Sequence, residues 1–381
     1  MLRYFTAGET HGKCLTVIIE GMPSGVKIDI DEVNYALYQR QQGYGRGGRM
    51  KIESDKAEIL SGVRNSYTLG SPIAIKIENR DWENWENIMG SETATDERSV
   101  TAPRPGHADL TGGMKYNHRD LRNVLERASA RETAARVAVG AICEQLLKQF
   151  SIELYTRTVS IGNVYDDILD VCIEDFEKAM QSPVGFCNDE SEKEAIEHIE
   201  TAKKNGESLG GIAETIAINV PPGLGSYVHY DRKLDANIAF SAMSIQAAKG
   251  VEIGLGFGCA DEYGSSVHDM IYHDKEYFRA TNNAGGIEGG MSNGEPIVVR
   301  AAMKPIPTLY SPLDTVDINT KEKLKASVER SDVCAVYAFS IVLKSVVGFE
   351  IAKAFLEKFG GDCIEDITSS YNSYMERILN F

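Results

Sequence analysis

Two histidines lie in short turn-like segments where an imidazole could act on protons. His11 lies within Gly-Glu-Thr-His-Gly at 8–12, and His107 lies within Arg-Pro-Gly-His-Ala-Asp at 104–109. Imidazole is the side chain that gains and loses a proton near neutral pH. Each histidine could instead only hydrogen-bond to its own turn. Because both occur in a chain with clustered arginines, the pattern favours acid–base chemistry on an anion.

A glycine-rich loop between arginines has the composition of an anion-binding segment. Arg40, Arg46 and Arg49 bracket the loop Gly43–Gly48. Guanidinium groups bind phosphate or carboxylate through two parallel hydrogen bonds, and glycine lets backbone N–H groups approach the same anion. The alternative is a surface loop with solvated charges.

A second arginine pair opens the alanine-rich segment Arg127–Phe150, which is predicted to be a helix. Arg127 and Arg131 are four residues apart, so a helix that included both would present them on one face. The free N–H groups of a helix N-terminus also favour an anion. Ser129 could be the N-cap of this helix, which would be a purely structural role.

Three further segments could contact a ligand, and each has a structural alternative. Asp332 follows Arg330 and Ser331 and precedes a second predicted helix, Val333–Phe359, so an N-cap role competes with a chemical one. The run 285–294 holds five glycines and could be a flexible turn. Lys304–Thr308 is rigid and extended, and could be a plain connector.

The elements that must position these residues predict an α+β fold. Helices and strands are interspersed without a regular βαβ rhythm, and we expect one domain over 1–381. Residues 79–118 show no periodicity and are predicted to be a long loop. The other predicted elements are a helix over Glu32–Gln42 and strands over Leu15–Glu20, Ala57–Leu60, Ile73–Ile77, Ile212–Val220 and Ile297–Met303.

The charge balance limits the classes of partner. The 381 residues include 40 Lys and Arg against 56 Asp and Glu, a formal net charge of −16, which argues against general nucleic-acid binding. The acidic region 161–200 is predicted to be solvated surface, helical over Ile173–Met180 and Glu190–Glu200. Arginine clusters upstream and could focus an anion into one cleft; it occurs at Arg98, Arg104, Arg119, Arg122, Arg127, Arg131 and Arg136.

Cysteine usage and missing motifs exclude several other classes. Seven cysteines without CxxC spacing indicate neither a disulfide framework nor a metal site, and favour a reducing cytoplasm. The longest apolar run, Val333–Leu343, has 11 residues and is too short to span a membrane. The dinucleotide-binding GxGxxG, Walker A, HExxH and GxSxG patterns are all absent.

Taken together, these segments resemble the chorismate synthase family. The similarity is carried by several ordered motifs that extend from Phe5 to beyond Arg330. Thr10, Gln39, Gln41, Gln42, Tyr337 and Lys344 depart from residues common in the family. The matching motifs are 8–12, Arg127–Ala134 continuing to Ile142, Gln246–Gly254, 285–294, Lys304–Thr308 and Arg330–Val336.

The resemblance implies a sheet–helix–sheet (β-α-β) sandwich, a homotetramer and a reaction. Family members remove phosphate from 5-enolpyruvylshikimate 3-phosphate by 1,4-elimination to give chorismate, with reduced FMN as cofactor. By resemblance, His11 would protonate the leaving phosphate, His107 would stay protonated beside the flavin N1 region, and Asp332 would move a proton at flavin N5. The residues expected to hold substrate anions are Arg40, Arg46, Arg49, Arg131 and Arg330. Those expected to contact flavin are Arg127, Ala128, Ser129, Gln246, Ala247, Gly289, Lys304, Pro305, Ile306, Pro307, Thr308 and Arg330.

Two alternatives stay open. A bifunctional relative would also reduce its own flavin with NADPH, but the chain shows no dinucleotide fingerprint, so an external flavin reductase is expected. A non-catalytic anion- or flavin-binding protein would not need two loop histidines beside several arginine clusters.

Overall fold

The computed structural model describes residues 1–47, 54–168, 171–329 and 331–381. Arg49 and Arg330 lie outside these ranges. The strands are β1 Arg3–Ala7, β2 Cys14–Glu20, β3 Ala57–Ser61, β4 Val63–Arg64, β5 Tyr67–Thr68, β6 Ile73–Glu78, β7 Glu153–Ile161, β8 Val164–Tyr165, β9 Gly211–Ile218, β10 Ala248–Ile253, β11 Ile271–Asp274, β12 Glu276–Arg279, β13 Ile287–Glu288, β14 Met291–Ser292, β15 Ile297–Met303, β16 Asp314–Val316 and β17 Lys323–Lys325. The helices are α1 Ile30–Gln41, α2 Glu86–Met89, α3 Asp109–Tyr116, α4 Arg122–Ala128, α5 Thr133–Lys148, α6 Ile173–Ala179, α7 Asp189–Lys204, α8 Leu234–Met243, α9 Gly264–Val267, α10 Val336–Phe359 and α11 Ile364–Leu379.

Two antiparallel sheets enclose a layer of helices. The first sheet has the order β1-β2-β6-β3 and the second β10-β15-β9-β7-β8. Alternate side chains of β2 and β6, including Val17 and its register partner Ile75, are buried against the helices, as the two-residue period of a strand requires. The predicted α+β sheet–helix–sheet sandwich is confirmed.

The middle layer is built around α5 and α10. In α10, 18 of 24 residues are buried, because this helix lies between the second sheet and α5 and is apolar all round. Small residues let the two helices cross closely. A Cβ added at Gly140 would lie 2.4 Å from Cβ of Ser345, so a larger residue there would force the helices apart.

Most predicted elements are confirmed within a few residues, with three differences. The helix predicted over Arg127–Phe150 is broken at Ser129, whose extended backbone (φ −69°, ψ 150°) ends α4 before a 3₁₀ turn and α5. The expected loop 79–118 contains a 3₁₀ turn, α2 and α3. The helix predicted over Val333–Phe359, α10, begins at Val336, with Ala335 as its N-cap residue.

Among the described residues, no helix combines the length and the apolar character that crossing a bilayer requires.

Candidate active site

A cavity of about 1050 Å³ opens where the end of β15 and the start of α10 meet the loops that follow β1 and α1. Residues far apart in sequence line it because the helix layer brings those loops together. The predicted site residues that line it are His11, Arg40, Arg46, His107, Ala128, Ser129, Arg131, Gln246, Ala247, Lys304, Ile306, Pro307, Thr308 and Asp332.

His11 is held by a buried glutamate and a tryptophan. Its Nδ1 lies 2.8 Å from Oε1 of Glu126, and its backbone N–H donates to Oε2 of the same carboxylate at 2.8 Å. The ring stacks on Trp85 with centroids 3.7 Å apart and planes at 18°. Arg98 lies over the same tryptophan at 4.1 Å, so aromatic and cationic groups surround this histidine.

His107 also has a buried carboxylate behind it. Its Nδ1 lies 2.5 Å from Oδ1 of Asp109, whose side chain is fully buried. Arg104 donates to the other oxygen of Asp109 at 2.9 Å and to Thr308 Oγ1 at 3.0 Å. Burial alone would raise the pKa of Asp109, but hydrogen bonds from His107 and Arg104 hold that pKa well below its ordinary value. The carboxylate is therefore an anion held between His107 and Arg104.

Two buried arginines share one carboxylate beside the cavity. Arg131 Nη1 lies 2.7 Å from both oxygens of Asp55, and Arg40 Nη1 lies 3.5 Å from one of them. Arg40 also donates to Thr133 Oγ1 at 2.9 Å. Burial lowers the pKa of Arg40 to about 10, although Asp55 opposes the shift. Two guanidinium groups and one carboxylate leave this trio with a surplus positive charge, which suits an anionic ligand.

Asp332 is not a helix cap. One of its oxygens accepts from the backbone N–H of Gly47 at 2.6 Å, and the other lies 3.2 Å from Nε of Arg46. α10 begins four residues later without a side-chain cap. The N-cap alternative is therefore wrong. Asp332 lines the cavity and contacts Arg46 and Gly47 of the glycine-rich loop.

Part of the cavity lining is apolar and comes from the segment around Ala247 and from α10. Ala247 has a left-handed backbone (φ 70°), and its carbonyl accepts from the N–H of Lys304 at 3.0 Å. Strained backbone of this kind persists only where the surroundings enforce it, often beside a ligand. Oε1 of Gln246 is buried and has no hydrogen-bond partner among the described residues. Ile245, Phe339 and Val342 complete this part of the lining.

Three predicted contact residues do not line the cavity. Arg127 is exposed and donates to the carbonyls of Thr6 at 3.0 Å and Gly8 at 3.1 Å. The expectation that it shares a helix face with Arg131 is wrong, because the chain breaks at Ser129. Gly289, between β13 and β14, and Pro305 also lie outside the lining. The binding roles of these residues stay predictions, as do those of Arg49 and Arg330.

Sequence reasoning gave no role to Glu126, Asp55 or Trp85. The four-residue spacing of Arg122 and Glu126 is a usable signal for an ion pair on one helix face, and their side chains do lie 3.2 Å apart. Asp55 and Trp85 occur in segments without periodicity, where no local pattern indicates burial.

Comparison with known proteins agrees with this geometry. A model of the chorismate synthase family matches residues 2–356. Chorismate synthase of Caldicellulosiruptor bescii is 57% identical, covering 97% of this chain and 98% of that protein. The enzyme of Staphylococcus aureus strain MRSA252 is 54% identical, with 96% of each chain covered. A solved structure described as the crystal structure of chorismate synthase is 44% identical, with a TM-score of 0.82 over 100% of this chain and 99% of that one. Family match, identity and architecture agree along nearly the whole length, and the chain belongs to the chorismate synthase family.

Proposed function

We propose that this enzyme binds reduced FMN and 5-enolpyruvylshikimate 3-phosphate together in the described cavity and eliminates phosphate to give chorismate. Membership of the family makes the chain a lyase that eliminates phosphate. The observation that carries the proposal is the meeting of two carboxylate-backed histidines and a surplus of arginine charge with apolar side chains in the lining of one cavity.

The size of the cavity supports two ligands. A drug-sized ligand occupies a pocket of about 300–1,000 Å³, and the cavity measures about 1050 Å³. The cavity is as large as the upper end of the range for one ligand, and we propose that flavin and substrate share it side by side, which would place the reacting groups in contact and exclude water.

The residues present fit a flavin. Its ring system has apolar faces and a polar edge, which match the wall of Ile245, Phe339 and Val342 and the unsatisfied Oε1 of Gln246. The predicted contacts Ala128, Ser129, Lys304 and Thr308 line the same cavity. When bound, reduced FMN supplies electron density that helps phosphate to leave and recovers it as the substrate hydrogen departs.

The cationic side of the cavity is the proposed substrate end. Arg40 and Arg46, with Arg131 as a buried support, face the carboxylates and phosphate; Arg49 and Arg330 are proposed to join them. His11 gives a proton to the leaving phosphate oxygen, which neutralises charge as the bond breaks. His107, which is hydrogen-bonded to Asp109, is proposed to stay protonated and to face flavin N1, and Asp332 to move a proton at N5.

The proposed source of reduced flavin is an external reductase, since the chain has no nicotinamide fingerprint. Under anaerobic conditions with chemically reduced FMN, we expect one phosphate released for each chorismate formed. With NADPH and oxidised FMN alone, we expect none. Absence of phosphate release with reduced FMN would contradict the function itself, whereas turnover with NADPH alone would favour the bifunctional alternative.

The protein is also proposed to be a homotetramer in the cytoplasm. The hairpin β11–β12 is exposed along nearly its whole length, including Tyr272, Tyr277 and Phe278. A two-stranded hairpin is marginal alone, and exposed apolar surface marks an association site, so a second copy is the proposed cover. Sedimentation equilibrium measures the mass of the assembly, which should be four times that of one chain.

The seven unpaired cysteines support the proposed reducing compartment.

A further inference from the structure

Glu126 contacts His11 through both oxygens of one buried carboxylate. The side chain of Glu126 is fully buried, and its oxygens accept from Nδ1 and from the backbone N–H of His11. The backbone carbonyl of Glu126 accepts from both the N–H and the hydroxyl of Thr10. The segment that carries His11 is therefore fastened to α4 at four points.

The contact at Nδ1 determines which proton of His11 can move. A carboxylate accepts hydrogen bonds and cannot donate one when ionised, so Nδ1 keeps its proton whether the ring is neutral or cationic. No described residue hydrogen-bonds to Nε2, and His11 lines the cavity. The exchangeable proton is therefore the one on Nε2, at the cavity side of the ring.

The surroundings keep Glu126 ionised. Burial alone would raise the pKa of its carboxyl, but hydrogen bonds and charge from His11, with Arg122 at 3.2 Å, outweigh burial and hold that pKa below its ordinary value. Arg122 donates onward to Glu329 at 3.2 Å. Stacking on Trp85 fixes the ring plane as well. Both the tautomer and the orientation of the imidazole are thus determined before any ligand arrives.

We propose that Glu126 is a positioning residue, which keeps a proton on Nδ1 of His11 throughout, so that the proton given to the leaving phosphate is the one on Nε2 and the neutral Nδ1–H form remains afterwards. This inference rests on the proposed role of His11 in the elimination. A glutamine at 126 has one acceptor oxygen with two lone pairs for three donors, namely Nδ1–H, the backbone N–H and the Arg122 guanidinium, so at least one donor loses its partner, and the neutral amide no longer offsets the charge of a protonated imidazole.

The first test uses the unchanged protein. Magic-angle-spinning NMR of FMN-loaded protein with ¹⁵N-labelled histidine reports which nitrogen of a neutral imidazole carries the proton, and loss of one signal set in His11→Gln assigns His11. We expect the Nδ1–H form. Observation of the Nε2–H form would overturn the inference, and this measurement does not depend on any Glu126 variant folding.

The second test compares variants by kinetics. Glu126→Gln should lower kcat by about 10²-fold, the lower end of what loss of acid–base help costs, with little change in KM. Glu126→Asp, which keeps the charge, should recover part of that loss. The matched control is Glu214→Gln, which alters another buried carboxylate, one that pairs with Arg157 at 2.9 Å outside the cavity. It should lower thermal stability without the kcat effect.

The outcomes separate this inference from the function on which it rests. If His11→Ala keeps wild-type turnover, the proposed role of His11 fails. If His11→Ala is inactive while Glu126→Gln turns over normally with its tautomer unchanged, the positioning role alone is wrong. Equal kcat losses in Glu126→Gln and Glu214→Gln would indicate a general structural effect and would also overturn it.

Discussion

Two buried ionic clusters on different sides of the molecule have opposite compositions. Beside the cavity, Arg40 and Arg131 share the one carboxylate of Asp55. In the second sheet, Arg157 alone serves two carboxylates, lying 2.9 Å from Glu214 and 3.1 Å from Asp166. All of these side chains are almost entirely buried, so burial does not distinguish the clusters.

The difference lies in what each cluster can still bind. Asp166 also accepts from the backbone N–H groups of Cys187 and Asn188, both at 2.9 Å, so the sheet cluster fastens one part of the chain to another. The cavity trio has a surplus cation next to open volume. A buried cluster whose surplus charge is bound by backbone N–H groups supports the fold, whereas one with a surplus charge facing a cavity attracts a ligand.

The largest effect is expected at the cavity, from Asp332→Asn. Asparagine can keep the contact to Gly47, but it cannot carry a proton or a negative charge. Loss of acid–base help costs about 10²–10⁴-fold in rate, so turnover should fall by at least ~10²-fold, with flavin binding and thermal stability near wild type. Stopped-flow detection of phosphate release measures it. Turnover at the wild-type rate would show that Asp332 has only a structural role.

The next largest effect belongs to the sheet cluster and concerns stability. Asp166→Ala removes one partner of a buried ion pair and leaves two backbone N–H groups without their acceptor. Breaking such a pair costs about 3–5 kcal/mol of unfolding free energy. Urea titration followed by circular dichroism measures it, and turnover per folded molecule should not change. A large kcat loss in protein that is still folded would contradict the assignment of the sheet cluster to the fold and of the cavity trio to the ligand.

Substrate affinity is the third quantity, tested with Arg46→Ala. Losing a hydrogen bond to a charged group costs about 1.5–3 kcal/mol, so substrate should bind correspondingly more weakly. Isothermal titration of substrate into FMN-loaded protein measures the change. Arg131→Ala is a less clean probe, because Arg131 also holds Asp55 and Asn79 and its removal should lower stability too. Unchanged affinity in Arg46→Ala would mean that Arg46 does not contact the anion.

The smallest effect is expected from a pair with one cation and one anion. Lys344 on α10 lies 2.9 Å from Glu144 on α5, away from the cavity lining. Both side chains are only 14% exposed, so the pair should contribute more than the ~1 kcal/mol of an exposed pair but less than the ~3–5 kcal/mol lost when a fully buried pair is broken. Lys344→Met should therefore lower the denaturation midpoint less than Asp166→Ala does and leave turnover unchanged. A loss of stability as large as that of Asp166→Ala would mean that the ratio of cations to anions in a buried cluster does not indicate its role.

Local patterns in the sequence predicted the elements well but not their breaks. Period-two alternation located β9, and an alanine-rich face located α5, because both patterns reflect burial on one face. The N-cap role that the sequence allowed for Ser129 is confirmed, because its Oγ accepts from the N–H of Arg131 at 3.3 Å, but the prediction of one helix from Arg127 was wrong because α4 ends at the break there. Its effect was to send Arg127 to the surface and Arg131 into the core.

The convergence of His11, His107, Arg40 and Arg46 followed from motifs, whereas their supporting carboxylates did not. Glu126 lies 115 residues from His11 and Asp55 lies 76 from Arg131. Such pairs form only when the helix layer packs, and no short-range pattern records them. Asp109 is the exception, because it lies two residues from His107 in the same turn.

The stacking of Trp85 on His11 makes the fluorescence of this tryptophan a probe of the histidine and its surroundings. The chain has two tryptophans, and only Trp85 contacts the imidazole and the Arg98 guanidinium. Excited indole is quenched by a protonated imidazole and transfers energy to a nearby flavin, whose absorption overlaps indole emission. With Trp82→Phe as background, emission intensity and lifetime therefore record ligand arrival and proton movement at His11 in real time, without any added dye.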